Sequence, residues 1–154
     1  MKGTALLAHQ LQNNLFFLMC LLGLNISLRL LDTFFWKGSL INQYAIIPRQ
    51  QFRLSRILLA PFLHFNRSHL ASNMLPFTLL GGIAMFPNIQ LFWLATMIII
   101  IVDGLGIWIF GQKGPHLGAS GLVLGYFGFL LTRGIFVLEP ILIFTTLFIG
   151  ITCR

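Results

Sequence analysis

The chain has 154 residues, of which 57% are hydrophobic and only 8% charged, with a mean hydropathy of +0.90; those fractions exclude a soluble globular domain. Ten Lys and Arg against three Asp and Glu give a net charge of +7. The cations stand singly at the edges of apolar runs, which excludes the basic stripe that a nucleic-acid partner needs.

A bilayer core about 30 Å thick takes roughly 20 helical residues per span, so this length accommodates about five spans. The segment from Met1 to Asn14, followed by the apolar run from Leu15, imitates a signal peptide. However, His9, Gln10, Gln12, Asn13 and Asn14 make a poor positively charged leader, and no small-residue cleavage site follows before Arg29. The expectation is an uncleaved first span from Leu15 to Phe35, with Arg29 and Asp32 three apart and able to pair on one helix face.

From Trp36 to Phe65, Lys37, Arg49, Arg53 and Arg56 alternate with Tyr44, Ile46, Ile47, Phe52 and Leu54. This segment is too polar to span and reads as an interfacial loop, its apolar side chains among headgroups and its arginines reaching water. No charged residue occurs from Ser68 to Val102, and Phe86-Pro87-Asn88 divides that run into a second span, His69 to Met85, and a third, Leu91 to Phe110. Gly111 to Leu117 forms a tight loop, Gly118 to Thr132 a fourth span and Ile135 to Cys153 a fifth, with Arg154 beyond. Without an internal repeat or a linker, residues 1–154 read as one all-α, multi-pass bundle. An odd span number puts Lys37, Arg49, Arg53, Arg56, Arg67, Lys113 and Arg154 on one side, against Lys2 and Arg133 on the other. The positive-inside rule makes that first side cytoplasmic. Cys20 and Cys153 offer neither metal-ligand spacing nor a disulfide framework.

Polar groups inside spans are costly in hydrocarbon and mark functional sites. Three features qualify. In the run from His64 to Asn73, Ser68 fits an N-cap, His69 and Asn73 share one helix face a turn apart, and His64 belongs to the preceding loop. At Gly118-Ala119-Ser120-Gly121, glycines flank a serine where loop meets helix, which exposes its hydroxyl beside the free N–H groups of a first helical turn. Spans two and four run in the same direction, so His69, Asn73 and Ser120 lie near one membrane face. The third feature is the series Gly111, Gly114, Gly118, Gly121, Gly125 and Gly128, which keeps small residues on one face of span four and implies a helix pressed against it.

Each feature also has a structural explanation, because such glycines pack helices and such polar residues cap helix ends. Other intramembrane chemistries fit less well. No His-Glu-x-x-His occurs and His64, His69 and Asn73 bring no carboxylate for zinc. Asp32 and Asp103 stand in no paired-aspartate motif, and Asp103 reads as a polar group satisfied by its neighbours near a span end. The related halves of a transporter are missing.

These residues resemble the rhomboid family of intramembrane serine proteases. Its His-x-x-x-x-His-x-x-x-Asn pattern is matched by His64, His69 and Asn73, and its Gly-x-Ser-Gly by Gly118, Ala119, Ser120 and Gly121. The runs from Ile47-Pro48-Arg49 to Phe62-Leu63-His64 and at Trp108-Ile109-Phe110-Gly111 are similar to bacterial members. The resemblance implies a Ser-His dyad in which Ser120 attacks a transmembrane substrate near the membrane surface. His69, Asn73 and the Ser120 N–H would stabilise the oxyanion, and His64 would shape the loop. It implies transmembrane protein substrates, a bacterial inner-membrane location, and neither metal nor organic cofactor.

The family's general base is a histidine on a sixth core span. None of His9, His64, His69 or His116 matches it, so this polypeptide by itself is expected to be nearly inactive. It reads either as a C-terminally incomplete copy of an active rhomboid, the favoured reading, or as a pseudoprotease that binds transmembrane clients without cutting them.

Overall fold

Apolar runs punctuated by Asn, Gly and Pro give a bundle of helices, and the computed structural model describes residues 2–86 and 88–152. Helix α1 covers Lys2–Phe34, α2 Ser39–Tyr44, α3 Leu54–Leu59, a 3-10 turn Ala60–Phe62, α4 Arg67–Ala84, α5 Ile89–Phe110, α6 Ser120–Val137 and α7 Pro140–Thr152. The readings at Met1, Pro87, Cys153 and Arg154 lie outside the described residues.

Among the described residues, α1, α5 and α6 are long and apolar enough to cross a membrane. The other two expected spans correspond to shorter or more polar helices. Helix α7 is an apolar 13-residue helix, and α4 has 18 residues with Arg67, His69, Ser72 and Asn73 in its first two turns.

Helix α1 starts well before Leu15 because its polar N-terminal residues are compatible with a helix: His9 and Asn13 meet one turn apart (3.3 Å), and the buried Asn14 amide donates to the Met85 carbonyl (3.4 Å). The Arg29–Asp32 pair forms at 4.0 Å, and Asp32 also accepts from the Leu40 N–H (3.0 Å), tying α1 to α2. The predicted break after span two falls between Ala84 and Ile89, where Asn88 caps α5 by accepting from Gln90 and Leu91 N–H.

Arg133 does not interrupt α6. Its guanidinium donates to the Phe86 carbonyl, so the helix carries the charge to Val137. It ends at Leu138 in a left-handed conformation (φ +57°), with the Glu139 N–H returning to the Gly134 carbonyl (3.0 Å). Pro140, whose missing N–H has no cost at a first helical position, opens α7.

Helix α6 packs against α4, α5 and α7 and forms the centre of the bundle. Its Leu122, Tyr126 and Leu130 are buried with Phe77 and Leu80 of α4 and Phe92 and Ile100 of α5. Tyr126 stacks on Phe92 (5.5 Å between centroids), and its hydroxyl meets Thr96 Oγ1 at 2.9 Å. Thr96 itself donates to the Phe92 carbonyl (2.7 Å), so the buried polar tip of the tyrosine is satisfied inside the apolar core.

The segment between α1 and α4 is more ordered than a loop lying in headgroups. Arg49 donates to the Ile109 and Gly111 carbonyls (3.0 Å each), Trp108 Nε1 donates to the Gln50 carbonyl (2.9 Å), and Phe52 packs edge-on against Trp108. The exposed Arg49 and half-buried Arg56 side chains thus bond backbone carbonyls, Arg56 that of Gln43, instead of only reaching water. The Arg49 bonds satisfy carbonyls at the C-terminus of α5, which have no partner within their own helix.

Candidate active site

Two clamps hold the loop before α6. Ile46 and His116 exchange a pair of backbone hydrogen bonds (2.9 and 2.8 Å), and the Gly118 N–H donates to the Ala60 carbonyl (2.9 Å). The loop then turns at Gly118, with φ of +114°, and enters α6 at Ser120.

On the facing helix, Asn66 rather than Ser68 is the N-cap. Its side chain accepts from the His69 N–H (2.7 Å), the third position of α4, because the helix begins two residues earlier than the apolar run suggests. This cap fixes the first turn, from which His69 and Asn73 project on one face. The His69 Cε1 and Nε2 atoms lie 2.6 and 2.9 Å from where a Cβ on Gly118 would stand, and Asn73 Nδ2 lies 3.5 Å from it. Position 118 therefore has to be glycine both for its backbone and for its neighbours.

Asn73 is buried, and its Nδ2 donates to no atom of the described residues. An unmet donor of this kind costs free energy when buried.

His64 is 1% exposed, and its ring meets that of His69 edge-on at 5.3 Å between centroids. Burial, the nearby His69 and Arg29 push its pKa down to about 4, against a weaker opposing effect of the Phe62 carbonyl. The ring is therefore neutral around pH 7 and free to accept, as its Nε2 does from the Ala119 N–H (3.4 Å). Ala119 is fully buried behind it.

Ser120 is exposed and opens onto a cleft of about 200 Å³, shared with Phe65, Asp103, His116, Gly118, Gly121 and Leu124. The structure thus sets His64, His69, Asn73 and Ala119 around the turn, and Gly118, Ser120 and Gly121 line the cleft. His9 lies elsewhere, on α1 beside Asn13. His116 lies in the cleft, but its Nε2 donates to the Gln112 carbonyl (2.8 Å). Among the described residues, no histidine hydrogen-bonds Ser120.

Asp103 departs from the sequence reading. It is not satisfied by neighbours: it lies on the cleft wall, its carboxylate occupies the space that a Cβ on Gly121 would need, and it accepts no hydrogen bond from the described residues. Gly121 and Gly125 are the members of the glycine series that admit α5 closely, through Asp103 and Ile99, whereas Gly128 faces open space. A carboxylate opposite a glycine on a neighbouring helix is the available signal, but the rotation of α5 about its axis decides it and periodicity does not give that rotation.

The Rhomboid domain family model matches residues 51–153. The chain is 39% identical over 106 residues to proteins of Mycobacterium bovis and Mycobacterium tuberculosis, each titled only as uncharacterized; the match covers 65% of this chain and 44% of either relative. A Mycobacterium leprae protein, also titled uncharacterized, is 36% identical over 87 residues, 53% of this chain and 35% of its own length. The chain thus spans less than half the length of the curated relatives it matches. No solved structure matches it.

Proposed function

The chain belongs to the rhomboid family, and on that premise we propose that it carries the nucleophile and oxyanion site of an intramembrane serine endopeptidase. Ser120 Oγ attacks the carbonyl carbon of a peptide bond in a transmembrane substrate, and its proton passes to a base. The negative charge that develops on the carbonyl oxygen is met by Asn73 Nδ2, the His69 ring and the Ser120 N–H. The observation that carries this reading is the unpartnered, buried Asn73 amide beside His69 across Gly118, two residues before Ser120.

His64 holds the Ala119 N–H and so the approach to the turn, and Gly118 and Gly121 let the helices close around it. The mechanism uses no metal or organic cofactor. Its setting is a multi-pass protein of a bacterial inner membrane, in keeping with the mycobacterial relatives, and its partners are transmembrane protein substrates.

A serine hydroxyl is a weak nucleophile without a base, and losing the base of a serine protease costs about a millionfold in rate. With no described histidine bonded to Ser120, the 154-residue polypeptide turns over very slowly by itself. The second reading is a pseudoprotease that binds transmembrane clients. Cleavage of a transmembrane reporter in liposomes, with and without free imidazole as an external base, separates them. The protease reading expects product that rises with imidazole and disappears in Ser120→Ala; reporter that stays bound and uncut at every imidazole concentration overturns it in favour of the pseudoprotease.

A further inference from the structure

Asp103 gives the Ser120 cleft a chemistry that the oxyanion site does not use. Ile57, Phe65, Ile100, Ile107 and Leu124 line the cleft together with Ser120 and polar backbone, and Asp103 and His116 are the titratable groups among the described residues that line it. His116 lies within electrostatic reach of the carboxylate, but its Nε2 is committed to the Gln112 carbonyl. Among the described residues, no Lys or Arg lines the cleft. A carboxylate that accepts no hydrogen bond from the described residues is stabilised most by a donor that brings a positive charge, because charge-assisted bonds are roughly twice as strong as neutral ones.

The dimensions fit one side chain. A cleft of about 200 Å³ is smaller than the roughly 300–1,000 Å³ of small-molecule sites. Asp103 lies seven residues from the end of α5 at Phe110, about 10 Å along the helix axis. A long basic side chain on a substrate helix covers such a depth while its stem stays in apolar surroundings.

We propose that Asp103 is a specificity-determining residue: the cleft beside Ser120 receives a lysine or arginine side chain of the transmembrane substrate and holds its charged head at the Asp103 carboxylate. This rests on the protease reading for its choice of a transmembrane substrate, but it concerns binding and does not need turnover. Gly121 is then required twice, because a side chain there would displace the carboxylate as well as crowd α5.

The test uses the full 154-residue chain in liposomes and synthetic transmembrane peptides of about 20 apolar residues, each with a photo-crosslinker. The peptides differ at one position near the membrane surface, which carries Arg, its neutral isostere citrulline, Leu or Glu. Crosslinking to the cleft is expected to favour Arg over citrulline by roughly ten- to a hundredfold, the value of a hydrogen bond to a charged group. Asp103→Asn should remove that preference while leaving capture of the Leu peptide unchanged. Equal capture of Arg and citrulline by the unmodified chain, or a preference that survives Asp103→Asn, overturns the proposal and leaves the protease reading standing. Failure to capture any peptide overturns both.

Discussion

Substituting Gly118 by alanine should disable the site by a route that the structure specifies. The residue sits at φ +114°, where a side chain costs about 1–3 kcal/mol in backbone strain. Its new Cβ would stand 2.6 and 2.9 Å from His69 Cε1 and Nε2, and relieving such overpacking costs about 1–3 kcal/mol more. His69 is held from both sides, by its own N–H on the Asn66 cap and by the His64 and Phe65 rings, so it cannot retreat freely. The expected loss is about 2–6 kcal/mol, read as a lower midpoint of denaturant unfolding in micelles, together with loss of reactivity at Ser120. Gly128→Ala is the matched control. Its Cβ meets nothing within 4 Å, so the same change inside α6 should be neutral or slightly stabilising. Gly118→Ala with the stability and reactivity of the parent would refute the packing of His69 against the turn.

Asn73→Ala should slow imidazole-supported modification of Ser120 about a hundred- to a thousandfold, the usual consequence of deleting one oxyanion donor. Its effect on the unfolding midpoint should be small, since the Nδ2 group makes no hydrogen bond to lose; an unchanged rate would remove Asn73 from the site. The pKa of His64 is depressed to about 4 in the folded protein, so on acidification the unfolded chain binds its proton first. Stability from this group is complete above about pH 6.5 and is lost as the pH falls towards 4, by about 3 kcal/mol in all. Unfolding titrations from pH 7 to 4 should lose that slope in His64→Gln, and an equal slope in both proteins would contradict the buried, neutral ring. Asn66→Ala should cost about 1 kcal/mol and Asn66→Asp almost nothing, because the cap needs only a side-chain oxygen; equal losses in thermal unfolding would discount the cap.

Much of this arrangement was legible in the sequence, because the signals were local. The spacing of His69 and Asn73 puts them on one face wherever the helix starts, and Gly118 and Ser120 lie two residues apart at a loop-to-helix junction. Asn88 marked the break before α5 in the same way. Features that depend on a distant partner were not legible. The N-cap at Asn66 was missed because Ser68 stands next to the apolar run, yet the helix absorbs the polar Arg67 and Ser68 as its first exposed residues. Arg133 looked like an interruption, and only the carbonyl of Phe86, on another loop, makes it tolerable inside α6. Helix α1 ran further back than hydropathy suggested for the same reason, since Asn14 finds the Met85 carbonyl. Asp103 was read as satisfied, and its role turned on which way α5 faces.

The most direct test of the account is a fluorophosphonate labelling series on the 154-residue chain in liposomes, with imidazole titrated in and the modified residue mapped by mass spectrometry. Almost no labelling is expected without imidazole, then a rise with its concentration, modification at Ser120 and none in Ser120→Ala. No adduct at Ser120 at any imidazole concentration, or labelling that persists in Ser120→Ala, would contradict the claim that the turn at Gly118 presents a serine nucleophile to a preformed oxyanion site.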